Sequence, residues 1–78
     1  MPVAVKLKVE GVKKGVPDLF LPVPRKGFYG FYIEMKHAGG KLSKEQKEFL
    51  NHADAHGYHT AVCWSWIDAR DALIDYFE

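Results

Sequence analysis

The run from Phe28 to Lys36, Phe-Tyr-Gly-Phe-Tyr-Ile-Glu-Met-Lys, constrains this chain more than any other segment. It is dense in aromatic and β-favouring residues, the composition of a strand at the centre of a sheet. Side chains alternate across a strand, so Tyr32, Glu34 and Lys36 share one face while Phe31, Ile33 and Met35 share the other. The residues upstream supply a partner. Gly15 and Pro17 break any helix, the position before a proline is pushed towards extended geometry, and Asp18-Leu19-Phe20-Leu21 follows as a strand. Pro22 and Pro24 end that strand, and Arg25-Lys26-Gly27 reads as the hairpin turn into the aromatic run.

On either side of this hairpin the signals are local. Val3 to Val12 carries Val5, Val9 and Val12, whose spacing fits a short helix or an irregular strand; helix is the favoured reading. Ala38 to Leu42 is a loop. Ser43 with Gln46 three residues on forms a helix-start signature, so a helix is expected from Lys44 to Ala55, stopping near Gly57. His59 to Trp64 reads as a third strand. Ser65 with Asp68 opens a final helix with Ile67, Leu73, Ile74 and Phe77 as its apolar stripe. The expected architecture is one α/β domain over residues 1–78, a mixed sheet of three or more strands flanked by helices, in the order (α)-β-β-α-β-α.

A chain of 78 residues buries a smaller fraction of its surface than a mid-sized domain, and Cys63 has no partner for an internal disulfide. Association with a second copy would answer that shortage. No charged-then-apolar leader is present and no apolar run nears the roughly 18 residues of a membrane span, so a cytoplasmic setting is expected. Formal charge is +1, from 11 basic and 10 acidic residues, which does not announce a polyanion binder. The distribution is more telling: Lys6 to Lys47 holds nearly all the basic residues, and Asp54, Asp68, Asp71, Asp75 and Glu78 collect towards the end.

Asp18 stands at the mouth of the first hairpin strand and Glu34 near the end of the second, so the two carboxylates converge if the register is favourable. Together they are suited to a hard divalent cation, with the Met35 carbonyl as a further oxygen ligand. Lys36, on the face of Glu34, can orient an attacking water or neutralise the charge of a pentacovalent phosphate. Hydrolysis of a phosphodiester is the chemistry this set can perform.

Three strings, GVKKGVPDLFLP, GFYGFYIEMKHAGGKLSKEQKEFL and GYHTAVCWSWIDARDALIDYF, carry G-x-P-D-L, a strand ending E-x-K, the junction from Gly40 to Gln46 and a Gly-aromatic step. In these the chain resembles the virus-type replication-repair nuclease (VRR-NUC) domain of the PD-(D/E)xK superfamily, in its minimal, phage-type form. The resemblance implies a restriction-endonuclease-like core and an Mg²⁺- or Mn²⁺-dependent DNA endonuclease. Asp18 and Glu34 would be metal ligands, Lys36 the catalytic lysine and Gln46 a supporting active-site residue. It further implies a homodimer acting on branched DNA such as Holliday junctions, in DNA repair or recombination, inside a phage's host cell. Family members begin with a helix bearing a further metal-site glutamate; Glu10 does not match it, and the domain is expected to lack that helix. The competing expectation is a non-catalytic nucleic-acid-binding or assembly module with an incomplete metal site.

Lys41, Lys44 and Lys47, around the loop and first helical turns, are candidates for phosphate contact, as is His37 beside Lys36. A solvated helix face is the equal alternative for the three lysines. His52 and His56 stand four apart on one helix, but no cysteine pair or acidic partner accompanies them at zinc-ligand spacing, and with His59 they are read as solvated. Tyr29, Tyr32, Trp64 and Trp66 could stack on unpaired bases, and burial against a second subunit is the reading preferred for them.

Overall fold

The structure, a computed structural model, describes residues 14–78 and, ahead of them, the backbone strand Val5–Lys6. Its elements are β1 (Val5–Lys6), β2 (Leu19–Leu21), β3 (Phe31–Met35), α1 (Lys44–Ala55), β4 (His59–Cys63) and α2 (Trp66–Phe77). They build a four-stranded sheet in the order β1-β2-β3-β4. β1 and β2 are antiparallel, as are β2 and β3, whereas β3 and β4 run parallel across the α1 crossover. The fold is the small mixed α/β core expected from the pattern. Val5–Lys6 departs from the favoured helix: it is an edge strand paired with Phe20 and Leu19, as β-branched valine allows. The remainder of that stretch, with Glu10, lies outside the described residues.

The hairpin is longer and its strands shorter than the alternation implied. Arg25 and Phe28 exchange both backbone hydrogen bonds around Lys26 and Gly27, whose φ values of 51° and 83° are those of a type I′ turn. Regular pairing then resumes only at Leu21 with Phe31, because Pro22 and Pro24 have no N–H to give the ladder. Arg25 donates to the Phe77 carbonyl and Lys26 to that of Asp75. Two residues counted among the basic half of the chain are thus engaged at the C-terminus of α2, where cations complement the helix dipole.

The side chains of β3 divide the molecule into two layers. Phe31 and Ile33 pack with Leu21, Cys63, Ala69 and Tyr76 into the core beneath α2. Tyr32 and Glu34 face α1, where they meet Phe49 and Gln46. The buried stripe of α2 is Ala69 and Tyr76, with Ala72, Leu73 and Phe77 packed alongside, the i, i+3, i+4, i+7 set of one helix face. Ile67 and Ile74, expected in that stripe, are 62% and 51% exposed. Tyr76 explains the rotation: its ring stacks among Phe31 and His59 and its hydroxyl donates to the Val23 carbonyl at 2.6 Å. One buried aromatic with a satisfied hydroxyl outweighs two isoleucines in setting which face turns inward.

Candidate functional site

The end of β3 is built by three local decisions. Pro17 is buried and leaves Asp18 at the entrance to β2, and the β2–β3 register sets Asp18 level with the last turn of the β3 pleat. The Asp18 carboxylate accepts the Met35 N–H at 3.0 Å. In a strand the N–H and C=O of one residue point towards the same neighbour, so the Met35 carbonyl lies on the Asp18 side as well. Lys36 N–H turns the other way, donating to the Cys63 carbonyl at 2.8 Å.

Glu34 is 2% exposed, and a buried carboxylate is costly unless it is hydrogen-bonded or paired. Gln46 Nε2 donates to its Oε2 at 3.2 Å, and Lys36 Nζ stands 3.7 Å from the same oxygen. Gln46 does two things at once. Its Oε1 accepts the Ser43 N–H at 2.8 Å while its own N–H donates to the Ser43 hydroxyl at 3.1 Å, a complete capping box. The amide oxygen is spent on the helix start, which leaves the amide nitrogen oriented to Glu34. The sequence signal for a cap was therefore also the signal for a site residue.

The structure brings Asp18, Glu34, Met35, Lys36 and Gln46 to one end of one strand. Among the described residues no group of three or more His, Cys, Asp or Glu side chains is assembled for a metal. What is assembled is a pair of carboxylates and a main-chain carbonyl, all hard oxygen donors of the kind magnesium or manganese takes, so the residues present fit such an ion.

Of the remaining candidates, Lys41, Lys47 and His37 are exposed around the loop and the N-terminal turns of α1. Lys44 is exposed too, in an i,i+4 ion pair with Glu48 at 3.9 Å. His52 and His56 stack ring on ring at 4.1 Å, with His56 Nδ1 2.8 Å from the His52 carbonyl. Trp64 is half-exposed and donates its indole N–H to the Gly40 carbonyl at 3.3 Å, securing the loop that follows Lys36. Nothing in the pattern of the sequence signalled that bond, since it spans residues 24 apart.

A family model described as the VRR-NUC domain matches residues 2–66. The chain belongs to the VRR-NUC domain family. Membership brings with it a nuclease-type fold, and nuclease activity is the general property the family name carries. A solved VRR_NUC domain protein is similar in structure, with a TM-score of 0.80 and 28% identity over 86% of this chain. This chain spans about half of that relative, 56% of its length. No curated protein matches. No helix among the described residues of this VRR-NUC domain is long and apolar enough to cross a membrane.

Proposed function

We propose that this VRR-NUC domain is an Mg²⁺- or Mn²⁺-dependent endonuclease that hydrolyses phosphodiester bonds in branched DNA and works as a homodimer. One observation carries the reading: Glu34, although buried, is held from two sides by Gln46 and Lys36 while Asp18 is anchored to the next main-chain amide, Met35. A carboxylate buried at that cost is suited to a task that water would defeat.

Asp18, Glu34 and the Met35 carbonyl would hold the ion, whose contribution when bound is to polarise the phosphate and the attacking water. Gln46 fixes the rotamer of Glu34 through its amide nitrogen. Lys36, its side chain 17% exposed, keeps a positive charge at the mouth of the site, able to orient water and to offset charge developing on the phosphate. Lys41, Lys44, Lys47 and His37 would meet backbone phosphates beside it. Trp66, Ile67 and Ile74, exposed along the outer side of α2, supply apolar surface for a second copy.

Cleavage of a synthetic four-way junction in Mg²⁺ or Mn²⁺ tests this directly. Wild type should cut, with Lys36→Ala and Asp18→Asn slower by about 100-fold or more; equal cutting by all three would refute it. The second reading, a nucleic-acid-binding module without catalysis, is favoured by the protein contacts that already answer both carboxylates, Gln46 and Lys36 at Glu34 and the Met35 N–H at Asp18. Calorimetry showing DNA binding with no uptake of Mn²⁺ would establish it instead.

A further inference from the structure

A groove of about 500 Å³ runs along the α1 side of the sheet, lined by Tyr29, Tyr32, Phe49, His52, His56 and Tyr58. We propose that it receives a single unstacked nucleobase from the strand whose phosphate lies at Glu34 and Lys36; the strand's path rests on the nuclease reading above.

Position comes first. Tyr32 precedes Glu34 by two residues on the same face of β3, so the Tyr32 wall of the groove stands about 7 Å along the strand from the acid. That is close enough for a phosphate at Glu34 and the base of a neighbouring nucleotide in the groove.

The walls suit a planar ring. Tyr32 is braced by a stacked contact with Phe20 at 4.4 Å and by edge contacts with Phe49 and Tyr58. Tyr29 forms the outer lip and is 67% exposed, yet it is not loose: its N–H donates to the Gly57 carbonyl at 2.9 Å and its ring leans on Tyr58. Gly57, at φ 91°, lies so near that an added Cβ would come within 2.7 Å of the Tyr29 ring. An exposed ring held from one side is a preorganised stacking platform, which lowers the entropy lost on binding.

Charge and polarity agree. Among the described residues no carboxylate lines this groove, whereas the adjoining one contains Glu45 and Glu48. With His56 Nδ1 2.8 Å from the His52 carbonyl, Nε2 is the ring nitrogen left for a ligand. Donors and acceptors for a base edge therefore accompany the aromatic faces.

The test measures binding in EDTA, where no strand is cut, to labelled duplexes carrying one unpaired thymidine or an abasic residue at the same position. The thymidine bulge should bind about 5- to 100-fold more tightly than the abasic bulge. Tyr29→Ala should abolish that preference and Tyr29→Trp should keep it. Equal affinity for the two bulges, or a preference untouched by Tyr29→Ala, overturns the proposal. So does a Tyr29→Ala protein that keeps the preference but changes from dimer to monomer, which would make the groove a subunit interface. Base preference in a protein that cuts nothing in Mg²⁺ or Mn²⁺ upholds the groove and strikes the nuclease reading alone.

Discussion

On the α2 face of β3, Phe31 and Ile33 are sealed among Leu21, Cys63, Ala69 and Tyr76, whereas on the α1 face the equally buried position is filled by Glu34. Adjacent residues of one five-residue strand thus serve opposite ends. The dry face contributes burial, at about 25 cal/mol per Å² of apolar surface. The other face holds a carboxylate out of water, tolerable only because Gln46 and Lys36 answer it. A small domain can support a buried acid when the opposite face of the same strand is anchored by packing that does not depend on it.

The contrast can be broken most strongly from the dry side. Phe31→Ala removes a fully buried ring from between His59 and Tyr76 and should cost about 3–5 kcal/mol in urea unfolding, a large share of what a domain of this size possesses. A loss under about 1 kcal/mol would mean that the α2 layer is not the anchor.

Gln46 probes the wet side. Gln46→Ala should cost about 1–2 kcal/mol, combining a lost cap and a lost hydrogen bond to a buried charge. Gln46→Glu sharpens the distinction, since glutamate also serves a capping box but sets a second carboxylate against Glu34. Its stability should be lower at pH 8 than at pH 5, where one of the pair takes up a proton. A pH-independent result would remove Glu34 from the partnership.

Ser65→Ala is the matched cap away from the site. Ser65 Oγ accepts the Asp68 N–H at 3.0 Å, and the Asp68 carboxylate accepts the Trp64 N–H. Loss of the hydroxyl should lower stability by about 1 kcal/mol and leave junction cleavage unchanged, so a parallel fall in cleavage would tie the α2 start to the site.

The smallest effect concerns Cys63. Burial, then the nearby Asp68, pushes its thiol up from 9.0. The folded chain therefore holds this proton at a pH where the unfolded chain has lost it. Its contribution is intact below about pH 8 and declines as pH rises past the unfolded value towards the folded one. Native protein should resist iodoacetamide at pH 8 and react once unfolded; rapid native alkylation would contradict the burial.

Several features were legible because they obey short-range rules. The alternation that put Glu34 and Lys36 on one face of β3, the Lys44–Ala55 helix with its Ser43–Gln46 box, and the Lys26-Gly27 turn all follow from pleat, cap and dihedral preferences within a few residues. Where local signals were balanced, the reading failed: valines at ambiguous spacing left Val5–Lys6 as a helix, and only an available β2 edge made it a strand. In α2, either apolar face satisfied the helical period.

By itself, then, the sequence determined which residues share a face in β3 and α1, where its period was unambiguous, because side-chain direction is a property of the backbone repeat. Tertiary structure alone decided what those faces meet. It turned Ile67 and Ile74 outward in favour of Tyr76, seated Asp18 on the Met35 amide, directed the spare amide of a helix cap to Glu34, and gathered Tyr29, Tyr32 and Tyr58 beside two histidines. Each of those contacts joins residues distant in the chain, and such pairs are set by strand register and packing, which no local preference encodes.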